Sequence, residues 1–285
     1  VGGVLDKWGT AGITTSLYAT GTLPIKNYVT NLFDDWEKFT GEYVRTHFEI
    51  KKSPCWACQI SHCHRMKVTE GPYSGFEGEE PEYEGFAAFG PLIGVTDSGA
   101  TVMLNDLNDR LGMDLKESGF VLSLAGEAYL KGLLEGKTDG LDLSWGNVEG
   151  YRELLNRIAR RQGWLGDALA EGAMGAAQRI GGEAVNMAIY AKRGIAPHTH
   201  QLQDRLIARF AFAVSNSGSN ETALSTPQLY AEHGIVPPAD PYTTNIDEVR
   251  HLVAQTSGIR FPDFLVMCSF TSGMTYAPLV EAVNA

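Results

Sequence analysis

The stretch Asp97-Ser-Gly-Ala-Thr-Val-Met-Leu-Asn-Asp-Leu-Asn-Asp-Arg-Leu-Gly112 decides the fold class. Asp and Ser at its start are residue types that cap helix N-termini. Its apolar side chains recur at helical spacing, and Gly112 is a typical helix stop. The following Asp114-Leu-Lys-Glu117 has the pattern of a capping box. We therefore expect two consecutive helices joined by a short turn, the second continuing to Gly136.

Helical spacing recurs in other parts of the chain. The further predicted helices are Asn31–Phe39, 147–163, 165–181, 206–214 and 246–256. Residues 70–96 are predicted to be a loop with shaped turns, because Gly and Pro are dense there. Few segments alternate as strands do. The sequence therefore predicts an all-α, multihelical fold in two helical domains, 1–186 and 187–285.

Size and charge limit the class of protein. A chain of 285 residues can bury one large core or two moderate ones. Its net charge of −11 argues against a nucleic-acid partner and against an anionic membrane surface. No apolar run approaches the roughly 20 residues of a membrane-spanning helix, and no secretory signal opens the chain. We expect a cytoplasmic protein, and the start without Met indicates a processed protein or a piece of a larger one.

Three of the four cysteines lie in the stretch Cys55-Trp-Ala-Cys58-Gln-Ile-Ser-His-Cys63, and the fourth is Cys268. A C-x2-C cluster in a cytosolic enzyme is more typical of reduced metal ligands than of disulfides. Four thiolates suit a zinc ion or an iron–sulfur cluster. Structural zinc sites commonly use two C-x2-C pairs, and the second pair is missing here. The pattern therefore favours a [4Fe–4S] centre, with zinc and inert or disulfide-linked cysteines as alternatives.

The segment Glu79-Glu80-Pro81-Glu82-Tyr83-Glu84 places four carboxylates close together in the chain. Such a segment is either a solvated acidic turn or the source of an inward-facing acid or base. The pairs His62/His64 and His198/His200 are candidate hydrogen-bond donors or metal ligands, although exposed loop histidines are the simpler interpretation of the second pair. These residues indicate polar chemistry beside the cysteines without defining it.

Together these motifs resemble the aldehyde ferredoxin oxidoreductase family, the tungsten or molybdenum bis-pterin enzymes. The resemblance covers nearly the whole chain, but only the helical domains that follow the family's N-terminal β-rich pterin domain, whose Gly-rich signature is not found here. It implies that Cys55, Cys58, Cys63 and Cys268 ligate a [4Fe–4S] cluster beside the pterin. Four residues separate Cys58 from Cys63 where the family usually has three, so Cys63 requires a small bulge.

The resemblance also implies two pterin-contacting motifs of the form Asp-x-x-Gly-Leu-Asp/Cys. The first appears as Asp109–Asp114 with Met in place of Leu, and the second as Asp263–Cys268 with Val in place of Gly. The aspartates would hydrogen-bond pterin groups, and the turn at 109–114 presents backbone N–H groups that favour a polar or phosphorylated ligand. The implied contact residues are Asp109, Arg110, Leu111, Gly112, Met113, Asp114, Asp263, Leu265, Val266 and Met267.

The family's Pro-Glu-Tyr-Glu signature is intact as Pro81–Glu84, which implies that Glu82 or Glu84 is an active-site carboxylate. Many members carry a histidine shortly after a Ser-Asn-x-Gly stretch, but here Ser215–Gly218 is followed directly by Ser219-Asn220-Glu221, with no histidine among them. Another residue must then be the proton-transfer partner. The candidates are Asn220, Glu221, His198 and His200.

The predicted function is oxidation of an aldehyde to a carboxylic acid at a tungsten or molybdenum bis-pterin centre. Electrons would leave through the [4Fe–4S] cluster to ferredoxin or to an iron–sulfur partner subunit. The predicted partners are a small aldehyde, the N-terminal pterin domain and further copies in an oligomer, with no nucleic acid and no membrane. Two alternatives are a related reductase of an aromatic acyl thioester and a zinc-stapled helical interaction module.

Overall fold

The computed structural model describes residues 3–56, 58, 60–199, 206–214, 234–236, 238–240 and 242–258. Within them the chain is mainly helical, which confirms the predicted fold class. The α-helices are α1 (Gly3–Trp8), α2 (Thr14–Ala19), α3 (Gly41–His47), α4 (Tyr83–Phe89), α5 (Ser98–Arg110), α6 (Leu115–Leu130), α7 (Val148–Ala159), α8 (Gly163–Leu169), α9 (Gly172–Ile180), α10 (Ala184–Met187), α11 (Leu206–Val214) and α12 (Ile246–Gly258). Short 3-10 helices lie at Thr10–Ile13, Lys26–Tyr28, Trp36–Phe39, Pro91–Ile93 and Lys192–Gly194.

A small antiparallel sheet, which the sequence did not predict, stands beside the helices. Its strands are β1 (Glu49–Lys52), β2 (His64–Lys67) and β3 (Glu77–Glu79), in that spatial order. Each strand has only three or four residues, too few for alternation to emerge from the surrounding sequence. The sheet matters because the connection from β1 to β2 carries the cysteine cluster.

The turn between α5 and α6 forms largely as the opening stretch predicts. Asp97 caps α5, since its Oδ1 accepts a hydrogen bond from the Ala100 N–H at 2.6 Å. Gly112 has a φ of +70°, the left-handed conformation that ends helices. The second helix ends at Leu130 rather than at Gly136. Gly132, with a φ of +73°, already takes the left-handed conformation there.

Three other predicted elements were wrong. The segment Asn31–Phe39 contains only a 3-10 helix at its end. Phe33 and Phe39 both enter one core. An α-helix could not do this, because side chains six positions apart on it point in directions about 120° apart. The helix predicted over 165–181 is two helices, α8 and α9, broken where Gly172 has a φ of +78°. The loop predicted over 70–96 contains both β3 and α4.

Helix α4 belongs to both hydrophobic cores of the described chain. Tyr83 and Phe86 lie in a smaller core formed with residues of the N-terminal segments, whereas Ala88 and Phe89 lie in a larger core built mainly from α5 to α9. Every residue of α4 except Glu84 is buried. A helix surrounded on all sides by other elements is fixed in position, so the residues at its start have a defined place. The predicted division into domains 1–186 and 187–285 stays a prediction.

None of the described helices is by itself long and apolar enough to cross a membrane. The segments Tyr83–Ile93 and Ser98–Arg110 pass that test only as a pair, and they are bent by 115° at the break between them.

Candidate active site and metal centre

The three clustered cysteines lie in the connection between β1 and β2. The Cys58 N–H donates to the Cys55 carbonyl at 3.1 Å, which closes a turn around the C-x2-C pair. The Ser53 N–H donates to the Cys63 carbonyl at 3.0 Å, so the two arms of the connection pair beyond the strands themselves. All three thiols are free, with Cys55 exposed and the other two half-buried. One short connection thus carries three soft ligands.

The side chains around Cys63 fit a bound metal centre. Burial, the negative charge of Glu82 and the neighbouring Cys55 thiol raise the pKa of Cys63 to about 12. A thiolate in this place therefore needs positive charge, which a coordinated metal supplies. Ligand atoms of His62, Cys63 and Glu82 lie within 4.8 Å of one another. The predicted fourth ligand, Cys268, lies outside the described residues.

Glu82 faces the cysteine loop. Its Oε1 lies 3.2 Å from His62 Nε2, and its Oε2 accepts a hydrogen bond from the Thr10 hydroxyl at 2.5 Å. The same Thr10 oxygen accepts a hydrogen bond from the Tyr83 N–H at 2.7 Å. Thr10 therefore caps α4 from a distant part of the chain and holds Glu82 in place. The Glu82 side chain remains 44% exposed, so it stands at the surface of the site.

Glu84 faces the other way, toward the segment 196–199. Its Oε1 lies 3.5 Å from His198 Nδ1, and its side chain is only 21% exposed. The Tyr83 hydroxyl donates to the Thr199 carbonyl at 2.9 Å, which holds this segment against α4. The two carboxylates of the Pro81–Glu84 motif thus have different environments. One lies beside the thiols and one lies beside a histidine that the sequence offered as a proton-transfer candidate.

A buried ion pair close to these carboxylates joins α3 to the segment between β3 and α4. Arg45 binds Glu80 through two hydrogen bonds, Nε to Oε1 at 2.6 Å and Nη2 to Oε2 at 2.8 Å. The two side chains are 2% and 5% exposed. Arg45 Nη2 also donates to the His62 carbonyl, and His64 Nδ1 lies 2.9 Å from Glu80 Oε2. Arg45 therefore fixes the cysteine loop to the segment that leads into α4.

Replacing Arg45 by Met should lower the free energy of unfolding by about 3–5 kcal/mol, because Glu80 would remain as a buried charge without its partner. Denaturant titration of the purified protein measures this change. Arg152→Met is the matched control, since Arg152 forms an exposed pair with Glu149, and it should cost less than about 1 kcal/mol. Equal small losses in both variants would contradict the buried position of the Arg45–Glu80 pair.

Glu117 positions the segment that carries His198. Its Oε1 accepts a hydrogen bond from the Ala173 N–H at 2.7 Å, at the start of α9, and its Oε2 accepts one from the Ala196 N–H at 2.8 Å. The predicted capping box is therefore only half formed: Asp114 accepts from the Glu117 N–H at 2.8 Å, but the Glu117 side chain is used elsewhere. Burial raises the pKa of Glu117, against the opposing effect of the two N–H groups.

Glu117→Gln should change how stability depends on pH. Because the folded-state pKa is raised above the ordinary 4.5, the stabilising contribution of Glu117 is complete below that pH and is lost as pH rises through the raised value. Relative to the wild type, the variant should therefore gain stability over the pH range that begins near 4.5 and ends above the raised pKa. Urea unfolding across this range measures the difference in free energy of unfolding between the variant and the wild type. The exposed Glu135→Gln is the control, and a Glu117→Gln variant whose stability relative to the wild type falls or stays constant as pH rises would contradict the raised pKa.

The first predicted pterin motif lies at an exposed turn. Asp109 Oδ2 accepts a hydrogen bond from Asn105 Nδ2 at 3.0 Å, and partial burial together with the charges of Glu79 and Asp106 raises the pKa of Asp109. The buried Oδ1 atoms of Asn105 and Asn108 have no hydrogen-bond partner among the described residues. Acceptors in this state fit a ligand that is rich in N–H groups, as a pterin is.

The remaining residues of this motif differ in exposure. Leu111 and Met113 are half-buried against the larger core, whereas Arg110, Gly112 and Asp114 are exposed. Arg110 pairs with Asp106 at 2.5 Å. The predicted site residues Glu221, Asp263, Leu265, Val266 and Met267, together with His200 and Asn220, lie outside the described residues.

Sequence reasoning missed three residues that hold the site together: Thr10, Arg45 and Glu117. Thr10 and Arg45 act on segments far along the chain, so no local pattern marks them. Glu117 was predicted only as a member of a capping box. Its spacing from Asp114 is the same whether its side chain caps α6 or binds the distant Ala173 and Ala196 N–H groups. The exposed turn and the acidic segment were found because their residues are adjacent.

Comparison with known proteins gives concordant matches. The family profile described as aldehyde ferredoxin oxidoreductase, domains 2 and 3, matches residues 1–285. A tungsten-containing aldehyde ferredoxin oxidoreductase of Pyrococcus furiosus is 29% identical over 282 residues, which are 95% of this chain and 44% of that protein. The WOR-like subunit of an aliphatic sulfonate oxidoreductase from the same organism is 28% identical, over 98% of this chain and 42% of its own length. This chain thus spans less than half of these relatives.

Among solved structures, the active-site complex BamBC of benzoyl coenzyme A reductase, in complex with 1,5-dienoyl-CoA, matches with a TM-score of 0.58. The match covers 89% of this chain and 37% of the other, at 20% sequence identity. At that identity the likeness concerns the fold.

Proposed function

Because the chain belongs to the aldehyde ferredoxin oxidoreductase family, we propose that it forms the helical part of a tungsten or molybdenum bis-pterin enzyme that oxidises an aldehyde to its carboxylic acid. The observation that supports this most directly is the meeting of the cysteine loop with the Pro81–Glu84 motif. His62 Nε2 lies 3.2 Å from Glu82 Oε1 and 3.6 Å from Cys63 Sγ, on the loop that carries all three thiols. The loop proposed to hold the cluster thus adjoins the motif that carries the proposed base.

In this proposal Cys55, Cys58 and Cys63, with Cys268, hold a [4Fe–4S] cluster. The motifs at 109–114 and 263–267 contact the pterin, whose remaining contacts come from an N-terminal pterin domain. When bound, the metal centre supplies the acceptor for the two electrons that the aldehyde loses, and the cluster supplies their outlet to ferredoxin or to an iron–sulfur partner subunit. The complete enzyme is proposed to be cytoplasmic and oligomeric.

The chain's own residues are proposed to handle the protons. Oxidation converts an aldehyde and one water into a carboxylic acid, two protons and two electrons. Glu84 acts as the base that takes a proton from the attacking water, since it is the more buried carboxylate of the motif and lies 3.5 Å from His198. His198 is placed to pass the proton on, and Glu221 remains a second candidate. Glu82 holds the cysteine loop through His62.

Elemental analysis and turnover of the full-length holoenzyme, purified without oxygen, test this function together. We expect about four irons and one tungsten or molybdenum for each copy of this chain, with aldehyde-dependent reduction of a viologen dye. One zinc and no iron would contradict the proposal in favour of a zinc-stapled interaction module. Tungsten and iron with reduction of an aromatic acyl thioester, but no aldehyde oxidation, would contradict it in favour of the related reductase.

A further inference from the structure

A groove of about 560 Å³ lies between α9, the segment 189–197 and α11. This volume is that of small-molecule sites, commonly 300–1,000 Å³. Apolar side chains form much of its lining, including Met174, Ile189 and Pro197. A groove of this size and character is suited to a small organic molecule that has an apolar body.

Among the described residues that line the groove, every charged one is a cation, although the chain carries a net charge of −11. They are Lys192, Arg193 and Arg209. Lys192 and Arg193 are exposed, and neither forms an ion pair with a described residue. The Arg209 side chain extends from α11, and its guanidinium lies over the Tyr242 ring, 5.5 Å from the ring centre. Positive charge that is concentrated on an acidic protein attracts an anion.

One chain segment connects this groove with the proposed catalytic base. Pro197 lines the groove, and the next residue, His198, lies 3.5 Å from Glu84. The segment is anchored on both sides of this point, by Glu117 at the Ala196 N–H and by Tyr83 at the Thr199 carbonyl. The groove and the Glu84–His198 contact therefore involve consecutive residues of one anchored segment.

We propose that this groove binds the anionic far end of the substrate, so that the enzyme acts on molecules in which a carboxylate or phosphate is joined by an apolar chain to the reactive carbonyl. Lys192 and Arg193 pair with the anion, and the apolar lining contacts the chain. This inference rests on the proposed function only where it assigns a carbonyl as the reacting group of the substrate. The anion site itself depends on residues that take no part in the chemistry.

The test compares the holoenzyme with the double variant Lys192→Gln/Arg193→Gln and with the control Arg152→Gln, an exposed arginine on α7. Calorimetry measures the binding of glutarate and of coenzyme A, which distinguish a carboxylate from a phosphate-bearing ligand. Kinetics use pentanal and its carboxylate-bearing analogue, glutaric semialdehyde. We expect the double variant to bind the preferred anion about tenfold more weakly and to show an equally raised KM for the charged substrate. Its kcat and its pentanal kinetics should be unchanged, and added salt should weaken anion binding in the wild type.

Wild-type protein that binds neither anion, or a double variant that binds both as well as the control does, would overturn the proposal. The two hypotheses fail separately. If neither aldehyde is oxidised but the double variant loses anion binding, the anion site stands and the proposed reaction falls. If both aldehydes are oxidised with the same KM and no anion binds, the reaction stands and the anion site falls.

Discussion

Replacing Glu84 by Gln should lower kcat for aldehyde oxidation by roughly 10²–10⁴-fold, the usual contribution of a general base. Gln has nearly the same size and can still accept a hydrogen bond, but it cannot take a proton from water. Iron and tungsten or molybdenum contents should equal those of the wild type, because Glu84 points toward His198 rather than toward the cysteine loop. Steady-state kinetics and elemental analysis on the same preparation separate a chemical defect from a loss of cofactor.

Glu82→Gln is the matched control, two residues away with the same change of charge. Glu82 is half-exposed and bound to Thr10 and His62, so we expect its loss to change kcat by less than about tenfold. Retained turnover in Glu84→Gln together with lost turnover in Glu82→Gln would reverse the assignment. Retained turnover in both variants would show that neither carboxylate of this motif transfers a proton in the reaction.

Cys58→Ala should abolish the electron paramagnetic resonance signal of the reduced cluster and lower the iron content of the protein. A [4Fe–4S] cluster needs its thiolate ligands, and an alanine offers none. Cys58 is half-buried in a turn closed by its own N–H and the Cys55 carbonyl. The variant also loses the hydrogen bond from the Ser61 N–H to the Cys58 thiol at 3.4 Å, but the backbone bond that closes the turn remains.

Trp56→Phe provides the control for that experiment. Trp56 lies between the two cysteines of the turn and is 97% exposed, so its change alters the same loop without removing a ligand. The signal should persist in this variant. An unchanged signal in Cys58→Ala would show that Cys58 is not a ligand, and a lost signal in Trp56→Phe would show that the loop fails for a reason other than ligation.

Elements marked by adjacent residues could be predicted from the sequence. The start of α5 at Asp97, the left-handed Gly112 and the start of α6 at Asp114 all follow from local chemistry. The cysteine cluster and the Pro81–Glu84 motif were found for the same reason, since their functional groups are neighbours in the chain. The family resemblance rested on these same local motifs.

Elements that depend on distant contacts could not be predicted. Helix α4 lies in a stretch rich in Gly and Pro, and only burial on both sides makes it a helix. The Arg45–Glu80 pair joins residues from α3 and from the end of β3, and nothing near either residue indicates the other. Glu84 and His198 are likewise far apart in the sequence. Their contact distinguishes Glu84 from Glu82, which the Pro81–Glu84 motif alone does not.

The place of α4 in both cores has a consequence for how the protein exchanges its amide hydrogens. Releasing α4 on all sides requires both cores to open, so its amides should exchange only in the largest opening events. The cysteine loop has exposed residues on a three-stranded sheet and should exchange through small local openings. The thiols and the carboxylates are therefore carried by parts of the chain with very different opening free energies. Iron could be inserted or removed while the scaffold of the carboxylates stays closed.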